Sequence, residues 1–170
     1  MLMFLGVCIP PSPSVNLFST GPALTGCLES ITSVQQTKDG NAVLVSTLDS
    51  TIRLLDKGNG QMLQCYQGHK NSEYRIRSCL GMADSVVISG SEDGKLYAWD
   101  LLEGKVIGKM EAHEGKVASA VTCNSVRNEW ASAGVDGKFS DCIEPGVREM
   151  LINCRHCRSL GDADMKARSW

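Results

Sequence analysis

The chain repeats itself. VLVSTLDSTIRLLDKGNG (43–60) resembles VVISGSEDGKLYAWDLLEG (86–104), and Asp49 and Asp93 stand 44 residues apart. The same offset of 44 separates Asp56 from Asp100, Gly60 from Gly104 and His69 from His113. A third copy, WASAGVDGKF (130–139), places Asp136 43 residues after Asp93. A fixed period means that one supersecondary unit recurs and buries its faces against its neighbours. Each copy reads as a β-hairpin. A Val- and Ile-rich run forms one strand, and Asp93-Gly94 supplies the positive φ of a tight turn. Asp136-Gly137 repeats the turn signal, and Asp49-Ser50 is a weaker version. In KLYAW, Leu96 and Ala98 face one way, Tyr97 and Trp99 the other. Further strands fit at 31–36, 60–67, 74–80, 105–110 and 116–122. Four short strands in about 44 residues is the period of a propeller blade.

Gly68-His69, the hairpin through Asp93 and Trp99-Asp100 resemble the WD-repeat family, with decayed versions at Ala112-His113 and Leu55-Asp56. The resemblance covers about residues 30–139. It implies an all-β fold, a partial β-propeller of about two and a half blades of four-stranded antiparallel sheet. It also implies a structural network inside the blade, made here by His69, Ser89, Asp93 and Trp99. A buried carboxylate needs donors, and imidazole, hydroxyl and indole N–H supply them. The first repeat keeps Ser46 and Asp49 but has Leu55 in the tryptophan place, and no histidine matches upstream. A Ser/His/Asp set also suggests nucleophilic catalysis. However, Ser89 falls mid-strand, with no G-x-S-x-G elbow around it, so the expectation is no enzyme and no catalytic residue.

The resemblance implies a protein-interaction scaffold. The wording of the repeats is similar to that of a seven-bladed scaffold of mitogen-activated protein kinase modules that is also a pre-mRNA splicing component. Kinase-module or splicing proteins are then the expected partners, and the cytoplasm, the nucleus or both the expected location. Tyr74, Arg75 and Arg77 are the candidate partner contacts, the arginines flanking Ile76 on the strand expected at 74–80.

Seven such blades need about 300 residues. The pattern stops after Phe139, with Cys142 and Ile143 where Trp-Asp is expected. This suggests a truncated family member, with a non-functional or dominant-interfering product as the alternative reading. Residues 1–29 read as an unstructured apolar and Pro-rich leader, 30–139 as the propeller fragment, and 140–170 as an irregular tail. Val147, Met150, Leu151 and Cys154 after Pro145 suggest a short helix in that tail. The open blade faces and edges of such a fragment are expected to self-associate.

Other chemistry finds little support. The net charge of −2 lacks the basic excess of a nucleic-acid binder. MLMFLGVCI is too short to span a membrane, and the first Lys or Arg is Lys38, so the positive region of a secretory signal is missing. The eight cysteines show no regular framework, and most are expected to be free thiols. Cys154-Arg-His-Cys157 has C-x-x-C spacing, but zinc wants a second pair, and haem attachment wants His where Arg158 stands. No glycine-rich phosphate loop occurs. No metal or cofactor is expected.

Overall fold

The computed structural model describes residues 29–124, 129–142 and 158–159. Its strands run in sequence order as β1 (Ile31–Gln36), β2 (Ala42–Thr47), β3 (Thr51–Asp56), β4 (Met62–Gln67), β5 (Ser78–Gly81), β6 (Val86–Ser89), β7 (Lys95–Asp100), β8 (Val106–Glu111), β9 (Ala118–Asn124), β10 (Glu129–Gly134), β11 (Phe139–Cys142) and β12 (Arg158–Ser159). They form three four-stranded sheets, β1–β4, β5–β8 and β9–β12, each a meander. All pairings are antiparallel. The repeat of the sequence is thus a repeat of blades. The first strands β1, β5 and β9 lie side by side, so the sheets stack face to face around one edge. The third sheet continues past the expected boundary at residue 139: β11 runs to Cys142 and pairs with β12 through Ser140↔Ser159 and Asp141↔Arg158. The short helix expected at 145–154 and the leader up to residue 28 lie outside the described residues.

The turns are built as their sequences imply. Gly94 and Gly137 take φ of 82° and 74°, and Ser50 is held at 57°. That conformation strains a residue with a Cβ. Ser50 is fastened by its hydroxyl and backbone N–H, which both donate to Asn71 O, while Asn71 N–H donates back to Ser50 Oγ at 2.9 Å. At Gly94 space matters as well as φ. A Cβ there would stand 2.5 Å from His113 O, so the hairpin of the second sheet packs directly on the entry to the third.

Alternation along β7 decides which interface each side chain fills. Leu96 and Ala98 pack with Ile88, Ala118, Val121 and Trp130 between the second and third sheets. Tyr97 and Trp99 pack with Leu44, Ile52, Leu54 and Tyr66 between the first and second. Trp99 has 0% exposure and heads the fully buried side chains by volume. A third cluster, Val43, Val45 and Leu55, is buried with Met62 packed against it. Cys79 and Cys123 are free thiols. Cys65 is disulfide-bonded.

Candidate functional site

The structure gathers His69, Ser89, Asp93 and Trp99 around the first interface but does not join them into one hydrogen-bonded network. His69 is buried, edge-on to Trp99 with ring centroids 5.4 Å apart. Neither of its ring nitrogens has a hydrogen-bond partner among the described residues. Burial pushes its pKa down to about 4, against the opposing pull of Asp49, Asp93 and Glu92, so the ring is neutral at pH 7. Trp99 Nε1 donates to Gln67 O at 2.9 Å, and Ser89 Oγ donates to Gly90 O at 3.0 Å. Asp93 accepts from the Tyr97 hydroxyl at 2.8 Å and from Lys95 N–H at 3.1 Å. Burial works to raise the Asp93 carboxyl, but the hydrogen bonds it accepts, Tyr97's among them, hold it below the usual carboxylate range.

The His–Ser–Asp network forms one repeat later. His113 Nδ1 lies 3.2 Å from Asp136 Oδ1 and 3.2 Å from Oδ2, and His113 Nε2 lies 3.1 Å from Ser132 Oγ. Gly134 makes room for that ring, since a Cβ there would approach Nδ1 to 2.5 Å. The residue four positions after the turn aspartate explains the difference. Arg53 reaches back from β3 and pairs with Asp49 at 2.6 Å. Tyr97 reaches back from β7 to Asp93. Ser140 is too short to do so and donates to Ala112 O instead, at 3.5 Å. A long polar side chain at that position takes the carboxylate; a short one leaves it to the imidazole. This signal is in the sequence, and reading His113, Ser132 and Asp136 in the register of the second repeat finds the network. Ser132 is 2% exposed in mid-strand, so its hydroxyl is part of the interior and is not presented to a substrate.

The exposed feature beside this framework is the loop that leads into β5. The strand expected at 74–80 begins only at Ser78. The backbone ahead of it is turned aside: Arg77 N–H donates to Ser119 O, and residues 72–74 donate to Glu92, which sits on the β6–β7 turn. Its Oε1 accepts backbone N–H bonds from Ser72 at 2.6 Å, Glu73 at 2.6 Å and Tyr74 at 3.2 Å. Its Oε2 accepts from Ser72 Oγ at 3.0 Å and pairs with Lys70 Nζ at 3.4 Å. Three successive amides turned onto one carboxylate cannot also enter a sheet ladder. Burial raises the Glu92 pKa, but the three backbone donors outweigh it and bring it down to about 2. Ile76, fully buried, anchors the loop from below, and Arg77 N–H donates to Ser119 O of the next sheet. Above this anchor Tyr74, Arg75 and Arg77 face solvent, Tyr74 with 45% exposure. All three candidate contacts therefore share one braced loop. Glu92 itself was not singled out from sequence. Among the described residues no group of three His, Cys, Asp or Glu gathers to hold a metal, and Cys154 and Cys157 lie outside them.

Comparison with known proteins gives this geometry its family setting. The family model "WD domain, G-beta repeat" matches residues 60–100, from the last strand of the first blade through β7. Those residues are similar to one WD repeat. The chain is 48% identical over 89 residues to WD repeat domain-containing protein 83 of Homo sapiens, covering 52% of this chain and 28% of that protein. It is 38% identical over 107 residues to an uncharacterized WD repeat-containing protein of Schizosaccharomyces pombe, covering 63% of this chain and 36% of the relative. A WD repeat-containing protein 26 homolog of Arabidopsis thaliana is 36% identical over 109 residues, 63% of this chain and 18% of that protein. The chain thus spans roughly a third or less of the curated relatives it matches. The matched stretch, 60–100, includes His69, Glu92 and the Tyr74 loop.

Proposed function

We propose that the chain is a protein-interaction scaffold and that it docks partners on the Tyr74–Arg77 loop. The observation that carries this is the Glu92 clamp. It fixes the backbone of a solvent-facing loop, so Tyr74, Arg75 and Arg77 can engage a partner without first being ordered. Tyrosine and arginine are the side chains that concentrate binding energy at interfaces, and a guanidinium fork suits a carboxylate-bearing segment. The similarity of the repeats to the mitogen-activated protein kinase organizer supports a finer reading. On it the partners are kinase-module proteins or components of pre-mRNA splicing complexes, met in the cytoplasm or the nucleus.

The test is quantitative co-purification from cells with the whole chain and with the triple variant Tyr74→Ala, Arg75→Ala, Arg77→Ala. The three side chains are exposed, so thermal melts of the two proteins should coincide. Kinase-module or splicing proteins should accompany the parent in near-stoichiometric amount and be lost from the variant. Retention of the same partners by the variant would overturn the loop as the docking site, and their absence from the parent would overturn the finer reading.

A further inference from the structure

Cys79 and Cys123 are one repeat period apart, 44 residues. Cys79 is on β5 opposite Ile88, and Cys123 is on β9 opposite Trp130. These are the first strands of two adjacent blades, which pack against each other. The equivalent position of the first blade is Gln35 on β1, opposite Leu44. Its Oε1 accepts from Leu80 N–H at 3.0 Å and so ties the first blade to the second. Between the second and third blades the same position holds two thiols, with Sγ atoms 2.7 Å apart. A disulfide bond is about 2.05 Å long, so a small approach of the two sulfurs closes it. Gly81 leaves the room: a Cβ there would stand 3.3 Å from Cys123 Sγ. Cys79 is buried and Cys123 half-exposed, so a small reagent meets Cys123 first.

We propose that Cys79 and Cys123 form a reversible disulfide that clamps the second blade to the third. A low-molecular-weight disulfide such as glutathione disulfide serves as oxidant. The Cys123 thiolate attacks one of its sulfurs, a Cys123–glutathione bond forms, and the first glutathione thiolate leaves. Cys79 then gives its proton to solvent and attacks Cys123 Sγ, and the second glutathione thiolate leaves. Two protein thiols have become one disulfide, and the oxidant has taken up two electrons as two glutathione thiolates. The Cys123 thiol hydrogen-bonded to Cys79, together with burial, pushes the Cys79 ionisation upward; this disfavours its thiolate and leaves Cys123 to start the exchange.

The experiment equilibrates the folded chain with a series of glutathione disulfide to glutathione ratios, blocks free thiols with N-ethylmaleimide and maps tryptic peptides by mass spectrometry. Trypsin releases 78–95 and 117–127, each containing a single cysteine, so their cross-link is unambiguous. The expected result is a 78–95/117–127 species that grows with the ratio and disappears with dithiothreitol. Backbone amides of β5 and β9 should exchange more slowly in the oxidised protein. Cys79→Ala should trap glutathione on Cys123. The parent chain alone decides the matter if that variant does not fold. Alkylation of both thiols at every ratio, a stable glutathione adduct on Cys123 beside free Cys79, or cross-linking of either to a different cysteine would overturn the proposal.

Discussion

Glu92→Gln separates the carboxylate's contribution from that of loop shape. The amide is nearly isosteric, but it turns Oε2 from an acceptor into a donor facing Lys70 Nζ and Ser72 Oγ. It also leaves the three N–H bonds of Ser72, Glu73 and Tyr74 on a neutral oxygen. Hydrogen bonds to a charged group are worth about 1.5–3 kcal/mol, against about 0.5–1.5 for neutral ones. The pKa offers a second route to the magnitude. A fall from the ordinary 4.5 to about 2 corresponds to roughly 3 kcal/mol as an upper figure. The Lys70 ion pair is a small part of this, because the lysine is 65% exposed and such pairs contribute about 0–1 kcal/mol. The carboxyl pKa is depressed by folding, so its stabilisation is complete above about pH 4.5 and is lost as pH falls toward about 2. The assay is amide hydrogen exchange at Ser72, Glu73 and Tyr74, corrected for intrinsic rates, in parent, Glu92→Gln and Lys70→Met. At pH 6 Glu92→Gln should lower protection by up to about 100-fold, and Lys70→Met should change it little. The gap between parent and Glu92→Gln should close as pH approaches 2. Equal protection at pH 6, or a gap that ignores pH, would refute the clamp.

Further outcomes concern the blade framework. Trp99→Ala removes the largest fully buried side chain and should cost about 3–5 kcal/mol by chemical denaturation; coincident unfolding curves would show that the first interface does not depend on it. His113→Ala leaves Asp136 and Ser132 without their donor or acceptor and should cost about 1–3 kcal/mol, whereas His69→Phe removes two unpartnered nitrogens and should be neutral or stabilising. The parent should also lose stability between about pH 6.5 and 4, because the unfolded imidazole takes up a proton there and folded His69 does not, and His69→Phe should flatten that part of the denaturation-midpoint profile. Asp93→Ala strips an acceptor from the Tyr97 hydroxyl and Lys95 N–H and should cost about 1–2 kcal/mol, more than Ser89→Ala, whose hydroxyl makes one bond to Gly90 O; the reverse ranking in denaturation midpoints would contradict the observed partners.

What the sequence determined by itself is whatever local chemistry and period dictate. Strand alternation assigned Leu96 and Ala98 to one interface and Tyr97 and Trp99 to the other, because side chains two apart share a face in any strand. Asp93-Gly94 and Asp136-Gly137 marked the turns, because glycine takes positive φ without strain. The 44-residue offset implied stacked blades, because a repeated hairpin cannot bury its faces alone. Tertiary structure decided the rest. Which histidine receives a carboxylate depends on whether Tyr97 or Ser140 can reach the turn aspartate of its own repeat, a competition between side chains on neighbouring strands. The YRIR segment has a strand-like pattern, yet Glu92 from another turn takes the Ser72, Glu73 and Tyr74 amides and Ser119 O takes that of Arg77, so the strand begins at Ser78. Cys79 and Cys123 share a repeat position that can be counted along the chain. That their sulfurs meet follows only from packing β5 against β9, where Gly81 leaves the space.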